Sequence, residues 1–532
     1  MLASPASAQL FGSKSVLIKN AKVLDGTGRE IDGVDLMIKG KRFAQLGKGL
    51  KGAMFTKVID AEGMTITPGF IDSWSSLGRL DESDRGAAYG SAWDTFDRYD
   101  TNLFREALAQ GVTAMYLEPG GGTGVRGHGA LISLKPNGSG PYGEQLESDD
   151  ALTFNFGSGN SPLQRLRTFS RVRAAFRKAN EYGEALEVYE EELEEYLEKL
   201  EERRKESGKE DKADTDNKDS DKNDAEKKKD GKKKGDKKGP KKDKPDPDKP
   251  KPDKPKPDEP KPDEPKPDDT PDSSRVNLAP SGGTVAQAGD EAQDFENNRG
   301  PRKKGKRRGG KKGKKKEEKS GDGEDEEEEE LKKPEPPKPD RESDEILKAI
   351  NKELAVRVIA HRSADILNAL ELAEEFNLRM VLVGATDAAL VAEQLADSKV
   401  PVVLGPVNRD MSFENNEFRR HDMRTASVLE SHGVEWALGT GDSSTRSGRF
   451  IGQQAQLTAG RNPDVKDWLP LITTRSARLL GLERRGRIAP GLYADFVLWT
   501  GDPGDPGSVV HRVYIDGEIA YEAAAKAGGP TS

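Results

Sequence analysis

The sequence contains no cysteine, which excludes disulfides and thiolate metal sites outright. Only five histidines occur in 532 residues, His128, His361, His421, His432 and His511, so imidazoles for a metal centre or for acid–base chemistry are scarce. No apolar run approaches the length of a membrane span. A long central stretch is almost empty of apolar residues, and the averages of 33% hydrophobic and 34% charged therefore mix two kinds of sequence. Removing that stretch leaves roughly 350 residues, enough for a barrel of about 250 and a smaller domain. The formal charge of −9, from 86 basic and 95 acidic residues, identifies no partner.

Residues 1–14 read as the remnant of a secretory signal peptide or as a disordered tail. Ala6-Ser-Ala8 has the small-x-small cleavage pattern, but the charged and apolar regions that precede such a site are missing. Export to a periplasm is one expectation and a cytoplasmic protein the other.

The ordered sequence predicts an α/β fold. Residues 15–66 and 485–525 hold short strand patterns, such as Ser15-Val-Leu-Ile-Lys, Val34-Asp-Leu-Met-Ile-Lys and Ala494-Asp-Phe-Val-Leu-Trp, separated by turn residues. They predict a small β-sandwich-like domain composed of both termini. Across 67–161 and 355–484 strand and helix patterns alternate, as in parallel βαβ units. Eight candidate strands, Gly69–Trp74, Val112–Leu117, Ala130–Leu134, Ala151–Phe156, Val356–His361, Met380–Val383, Val400–Gly405 and Val434–Gly439, predict a (β/α)8 TIM-type barrel. Helices are expected over Ala364–Phe376, Ala388–Asp397 and Val465–Leu482.

A long insertion interrupts the barrel. Residues 162–205 form a helical arm whose Tyr182, Leu186, Tyr189, Leu193, Tyr196 and Leu200 recur as a heptad seam. Residues 343–354 supply the returning helix, so the seam packs on itself or serves as a coiled coil for a partner. Residues 206–342 carry Lys-Pro-Asp/Glu repeats from Lys244 to Asp268, basic blocks at Arg302–Arg308 and Lys311–Lys316, and an acidic run at Glu324–Glu330. Such a segment cannot offset its ordering entropy and is expected to be disordered. It reads as a solvated spacer or as a contact for an anionic polymer or surface.

Three passages carry a resemblance. One is Val58 to Asp72, ending Thr67-Pro-Gly-Phe-Ile-Asp72. Another is Ala360-His-Arg-Ser-Ala-Asp-Ile through Phe376. The third runs Thr474-Arg-Ser-Ala-Arg-Leu-Leu-Gly-Leu482 into Gly486-Arg-Ile-Ala-Pro-Gly-Leu-Tyr-Ala-Asp-Phe496. They resemble the metal-dependent amidohydrolase superfamily, in particular its imidazolonepropionase-like and dihydroorotase-like members. The resemblance implies hydrolysis of non-peptide carbon–nitrogen bonds, such as those of cyclic amides, by one or two divalent metals such as zinc. These bind histidines of strands one, five and six and an aspartate of strand eight, and the metal lowers the pKa of its bound water.

The implied ligand set is mostly replaced here. The His-x-His slots after Asp72 hold Trp74 and Ser76. The family's His-Ala-His of strand five reads Ile359-Ala-His361, with the ligand position at Ile359. Its His-Gly-Thr-Glu of strand six resembles Gly384-Ala-Thr-Asp387. Asp442 stands where the strand-eight acid belongs, and also suits the cap of a helix beginning near Ser443. The candidate catalytic residues are Asp442 and His361. Candidate binding residues at the barrel mouth are Trp74, Ser76, Glu118 and His128, the last in the glycine-rich stretch Gly120–Gly129. No metal or other cofactor is predicted.

Three functions compete. In the first the protein is a catalytically impaired relative that binds a small-molecule ligand at the mouth. In the second it is an active C–N hydrolase with a relocated metal, drawing on His361, Asp442 and His128, or with a metal-free Asp/His pair. In the third it is a scaffold that acts through its charged arm.

Overall fold

The computed structural model describes residues 15–80, 88–138, 140–146, 151–157, 161–216, 331–407, 424–441 and 447–524. Residues 1–207 with 331–532 make one compact unit. The other is 208–330, of which only the end of one helix, to Asp216, is described. Most of 206–342, both basic blocks and the acidic run lie outside the described residues.

The chain opens with five strands, β1 (Ser15–Leu24), β2 (Glu30–Lys39), β3 (Arg42–Gly47), β4 (Lys57–Asp60) and β5 (Thr65–Pro68). β6 (Phe70–Ser75), helix α1 (Thr101–Leu108) and β7 (Val112–Leu117) form a parallel pair with its crossover. Asp100 caps α1 by accepting from the Leu103 amide, 3.0 Å away. β8 (Gly124–His128), β9 (Ala130–Pro136), β10 (Tyr142–Gln145) and β11 (Ala151–Asn155) follow, then helices α2 (Pro162–Asp216) and α3 (Arg341–Ile350). Next come β12 (Ala355–Ala360), α4 (Ser363–Glu375), β13 (Met380–Gly384), α5 (Ala392–Ser398), β14 (Val402–Leu404), α6 (Thr425–Ser431) and β15 (Trp436–Leu438). Helices α7 (Ile451–Arg461) and α8 (Thr474–Leu479) lead to β16 (Phe496–Trp499), β17 (Val510–Ile515) and β18 (Glu518–Glu522).

Both termini build one eight-stranded sheet, ordered β18-β17-β16-β5-β1-β2-β3, with β4 also on β1. The seam between the termini is the antiparallel pair β5–β16, where Pro68 faces Phe496 and Thr65 faces Trp499. The expected sandwich is a single sheet in its hydrogen bonding, because β1 turns at Asn20 (φ 56°). Its first half pairs with β4 and its second half with β5. Ile18, Val23, Leu36, Phe43, Ile66, Phe496 and Tyr514 form its core, with the last two rings stacked at 4.4 Å.

The candidate barrel strands all form, in two sheets ordered β10-β9-β7-β6 and β15-β14-β13-β12-β11-β8. β11 to β15 are mutually parallel and buried along their length, which explains their near-continuous apolar sequence. The strand expected at Ala130–Leu134 departs from this scheme: β9 runs antiparallel to β7. The physical reason is the connection. The connection from β7 to β9, residues 118–129, is taken up by the loop and by β8, which pairs in the other sheet, and it holds no helix of the kind that usually carries a parallel crossover. The glycine-rich stretch is thus half loop and half strand. Gly129 is required where β8 passes into β9, because a Cβ there would lie 2.3 Å from the Tyr116 ring.

The long helix expected over Val465–Leu482 is instead a 3-10 turn, Leu469–Ile472, followed by α8. Pro470 offers no amide, and Thr473 leaves helical geometry (φ −131°, ψ −91°) while its hydroxyl bonds the Leu469 carbonyl at 2.6 Å. In the arm, the six seam residues are half-buried, and from Leu186 onward their neighbours are exposed. The returning helix α3 is shorter than expected and ends before Lys352, which has φ 64°. Its Leu347 fits over Gly183, where a Cβ would be 2.8 Å from Leu347 Cδ1. Residues 331–340, expected to lack structure, run extended, with Leu331, Pro334, Pro337 and Asp340 half-buried at the three-residue period of a polyproline helix.

Candidate functional site

Trp74 and His361 meet where the strands end. Trp74, at the end of β6, is 1% exposed and clusters with Ile359, Val383 and Val403 from β12, β13 and β14. Gly439 makes room for it: a Cβ there would come within 2.5 Å of Trp74 Cβ. Among the described residues, the buried Trp74 Nε1–H has no hydrogen-bond partner. His361 follows β12, is 4% exposed, and its ring centroid lies 5.9 Å from that of Trp74. Its Nδ1 is 2.9 Å from Thr386 Oγ1, and its carbonyl accepts from the Asp387 amide at 2.8 Å. The imidazole lies over Gly384, where a Cβ would be 2.4 Å from Cε1.

One layer deeper stands a buried ion pair. Arg357 Nε donates to Glu118 Oε1 at 2.5 Å, and Nη2 donates to the Ser73 carbonyl at 2.8 Å. Thr153 Oγ1 donates to Glu118 Oε2 at 2.8 Å, and the guanidinium carbon lies 3.9 Å from the Tyr116 ring centroid. Glu118, expected as a mouth residue free to bind, is therefore committed to Arg357. The sequence reading missed Arg357, whose signal is a single cation inside the apolar strand Ala355-Val-Arg-Val-Ile-Ala360.

Asp72 is fully buried beside them. It accepts from the Thr440 amide at 2.9 Å, from Thr440 Oγ1 at 2.5 Å and from the Trp74 amide at 3.3 Å. Burial raises its carboxyl to about 6, against the pull of those donors. The folded state thus holds this proton more tightly than the unfolded chain does. Asp72 favours folding most below pH 3.8, and that contribution, about 3 kcal/mol, is lost as pH rises through 6. Urea stability measured at pH 4.5 and 7.5 is expected to fall less between those points in Asp72→Asn than in the wild type. Equal falls would remove Asp72 as the source.

The structure does not gather the other expected residues. His128 pairs with Leu152 at the start of β11, and Leu152 in turn with Val356 of β12. His361 lies five residues beyond Val356, about 16 Å along the strand direction. The His128 ring points to α3 instead, with Nε2 3.2 Å from Glu345 Oε2. A site joining it to His361 fails on register. Ser76 is fully buried, and its carbonyl accepts from the Arg79 amide at 3.2 Å. Asp442 and His421 lie outside the described residues.

Comparison with known proteins points to one family over part of the chain. The amidohydrolase family profile matches residues 340–520. A dihydroorotase of Geotalea daltonii is 40% identical over 58 residues, and one of Clostridioides difficile is 35% identical over 57. Each match covers 11% of this chain and 14% of the relative's length. An amidohydrolase structure from Thermotoga maritima superposes with a TM-score of 0.58 at 21% identity, covering 96% of this chain and all of that one. Residues 340–520 thus carry the amidohydrolase family's pattern, and the fold as a whole is similar to that of an amidohydrolase.

The similarity to amidohydrolases implies a divalent metal, and the residues present can be tested against one. Among the described residues, no three histidine, aspartate or glutamate side chains stand together in a way that could ligate an ion. At the ligand positions that the resemblance implies, Trp74 and Ser76 of strand one carry an indole and a hydroxyl. The ligand slot of strand five is Ile359, inside the apolar cluster with Trp74. The strand-six slot is Gly384, whose side-chain space is taken by the His361 ring. Glu118, a carboxylate within the strands, is neutralised by Arg357. The described donor set does not fit the metal.

Proposed function

We propose that this protein is an amidohydrolase-superfamily member that has exchanged its metal centre for a packed floor, and that it binds a small ligand at the mouth without hydrolysing it through a metal-activated water. The two sheets that carry the candidate strands are then arcs of one (β/α)8-type barrel. Two hydrogen bonds support closure: Gly441 N–H to the Trp74 carbonyl at 2.9 Å, and Gly129 N–H to the Ala151 carbonyl at 3.3 Å. The eight-stranded sheet is its composite companion, formed from both ends of the chain.

The observation that carries this reading is the Trp74–His361–Gly384 contact. A ligand histidine at position 384 and the present imidazole cannot share that space. The unpartnered Trp74 Nε1–H supports a binding role, because a buried unsatisfied donor is costly and a ligand oxygen or nitrogen would satisfy it. The ligand class that follows is a small molecule with a hydrogen-bond acceptor.

Elemental analysis of the full chain, purified with zinc supplied and then dialysed, tests the metal claim. The expected metal content is far below one ion per chain and is unchanged in His361→Ala. Near-stoichiometric zinc that is lost in His361→Ala or Asp442→Asn, together with turnover of a cyclic amide, would overturn the proposal.

A further inference from the structure

Between β3 and β4 the chain projects a tight turn, Ala53-Met-Phe-Thr56, closed by the Thr56 amide bonding the Ala53 carbonyl at 3.0 Å. Phe55 occupies its third position with φ 74°. That place favours glycine or asparagine, because a Cβ is strained there. Phe55 is nevertheless 93% exposed and Met54 84% exposed, and neither belongs to a core cluster. The fold thus gains nothing from two large apolar side chains, one of them in a strained conformation. Strain and exposure that the folded chain does not recover point to a contact outside it.

The surroundings of the turn specify that contact. Lys48, Lys51 and Lys57 flank it, all exposed and with no ion pair among the described residues. Of the carboxylates near it, Asp35 is buried and held by the Asn20 and Leu50 amides at 3.1 and 2.9 Å, and Asp60 and Glu62 stand at the far end of β4, with Asp60 engaged by the Glu62 amide at 2.9 Å. The tip is therefore a pair of apolar side chains inside a collar of ammonium groups. A specific protein interface needs a broad complementary patch of about 800 Å² per partner, and two adjacent side chains on a turn do not make one. An anionic lipid surface asks for less. Apolar groups enter the boundary between headgroups and acyl chains, while lysines remain at the level of the phosphates.

We propose that the turn 53–56 docks this protein on anionic membranes, with Met54 and Phe55 inserted and Lys48, Lys51 and Lys57 on the headgroups. Binding is reversible and weakens with salt, as two side chains and three screened charges dictate.

Co-sedimentation of the full chain with phosphatidylglycerol–phosphatidylcholine vesicles, and with phosphatidylcholine alone, tests it. Binding is expected only to the anionic vesicles, weakened about tenfold or more in Met54→Ser/Phe55→Ser and likewise in Lys48→Gln/Lys51→Gln/Lys57→Gln. All five side chains are exposed, so circular dichroism should show both variants folded as the wild type. Phe55→Trp provides a local readout, a blue shift of its emission on adding anionic vesicles and none with phosphatidylcholine alone. Three results would each overturn the proposal: no binding, equal binding to both vesicle types, or anionic binding unchanged in Met54→Ser/Phe55→Ser. The last would assign the affinity to the basic blocks at 302–316, which that variant leaves intact.

Discussion

Replacing Arg357 with leucine is expected to destabilise the protein by about 3–5 kcal/mol, the usual cost of leaving one member of a buried ion pair alone. Glu118 is fully buried and Arg357 is 2% exposed, so water cannot take the place of the lost partner. The substitution also strips a donor from the Ser73 carbonyl and the cation from the Tyr116 ring. Glu118→Leu should cost a comparable amount, since it strands the guanidinium. Glu118→Leu/Arg357→Leu removes both charges together and should be more stable than either single variant, because the desolvation penalty of the pair disappears with its attraction. Urea unfolding of the four proteins at one pH closes the cycle, with an expected coupling above about 2 kcal/mol. Strict additivity would show that the two groups do not depend on each other and would remove the ion pair from the floor of the site.

Gly384→Ala is expected to cost about 3 kcal/mol or more, from two sources. Gly384 has φ 90°, a conformation that costs a residue with a Cβ about 1–2 kcal/mol. The added methyl would also stand 2.4 Å from His361 Cε1 and 2.8 Å from Nδ1, an overpacking that forces the ring off Thr386. The two sources separate experimentally. In His361→Ala/Gly384→Ala the collision is gone and only the backbone cost remains, so the double variant should recover about 1–2 kcal/mol relative to the sum of the singles. A Gly384→Ala protein within about half a kcal/mol of the wild type would mean that the ring does not fill this space, and the argument against a ligand at position 384 would fall with it.

The α/β architecture was legible in the sequence because it depends on local pattern. Apolar runs at Phe70–Ser75, Val112–Leu117 and Met380–Gly384 are strands wherever both faces are covered. The pairing of the two termini was legible as well, since strand patterns at both ends need a common sheet. The residue types at Trp74, Ser76, Ile359 and Gly384 are likewise read directly from the sequence.

Only the tertiary structure decided which side chains meet around Trp74 and Glu118. Glu118 and Arg357 are 239 residues apart, and no local pattern couples them. The direction of β9 depended on its pairing with β7 across the intervening β8, and the position of His128 on the register of β8 against β11, which places it at the opposite end of the sheet from His361. Residue type decides which chemistry a position can offer. Strand direction and register decide which positions meet, and those are set by pairing between segments that are distant along the chain.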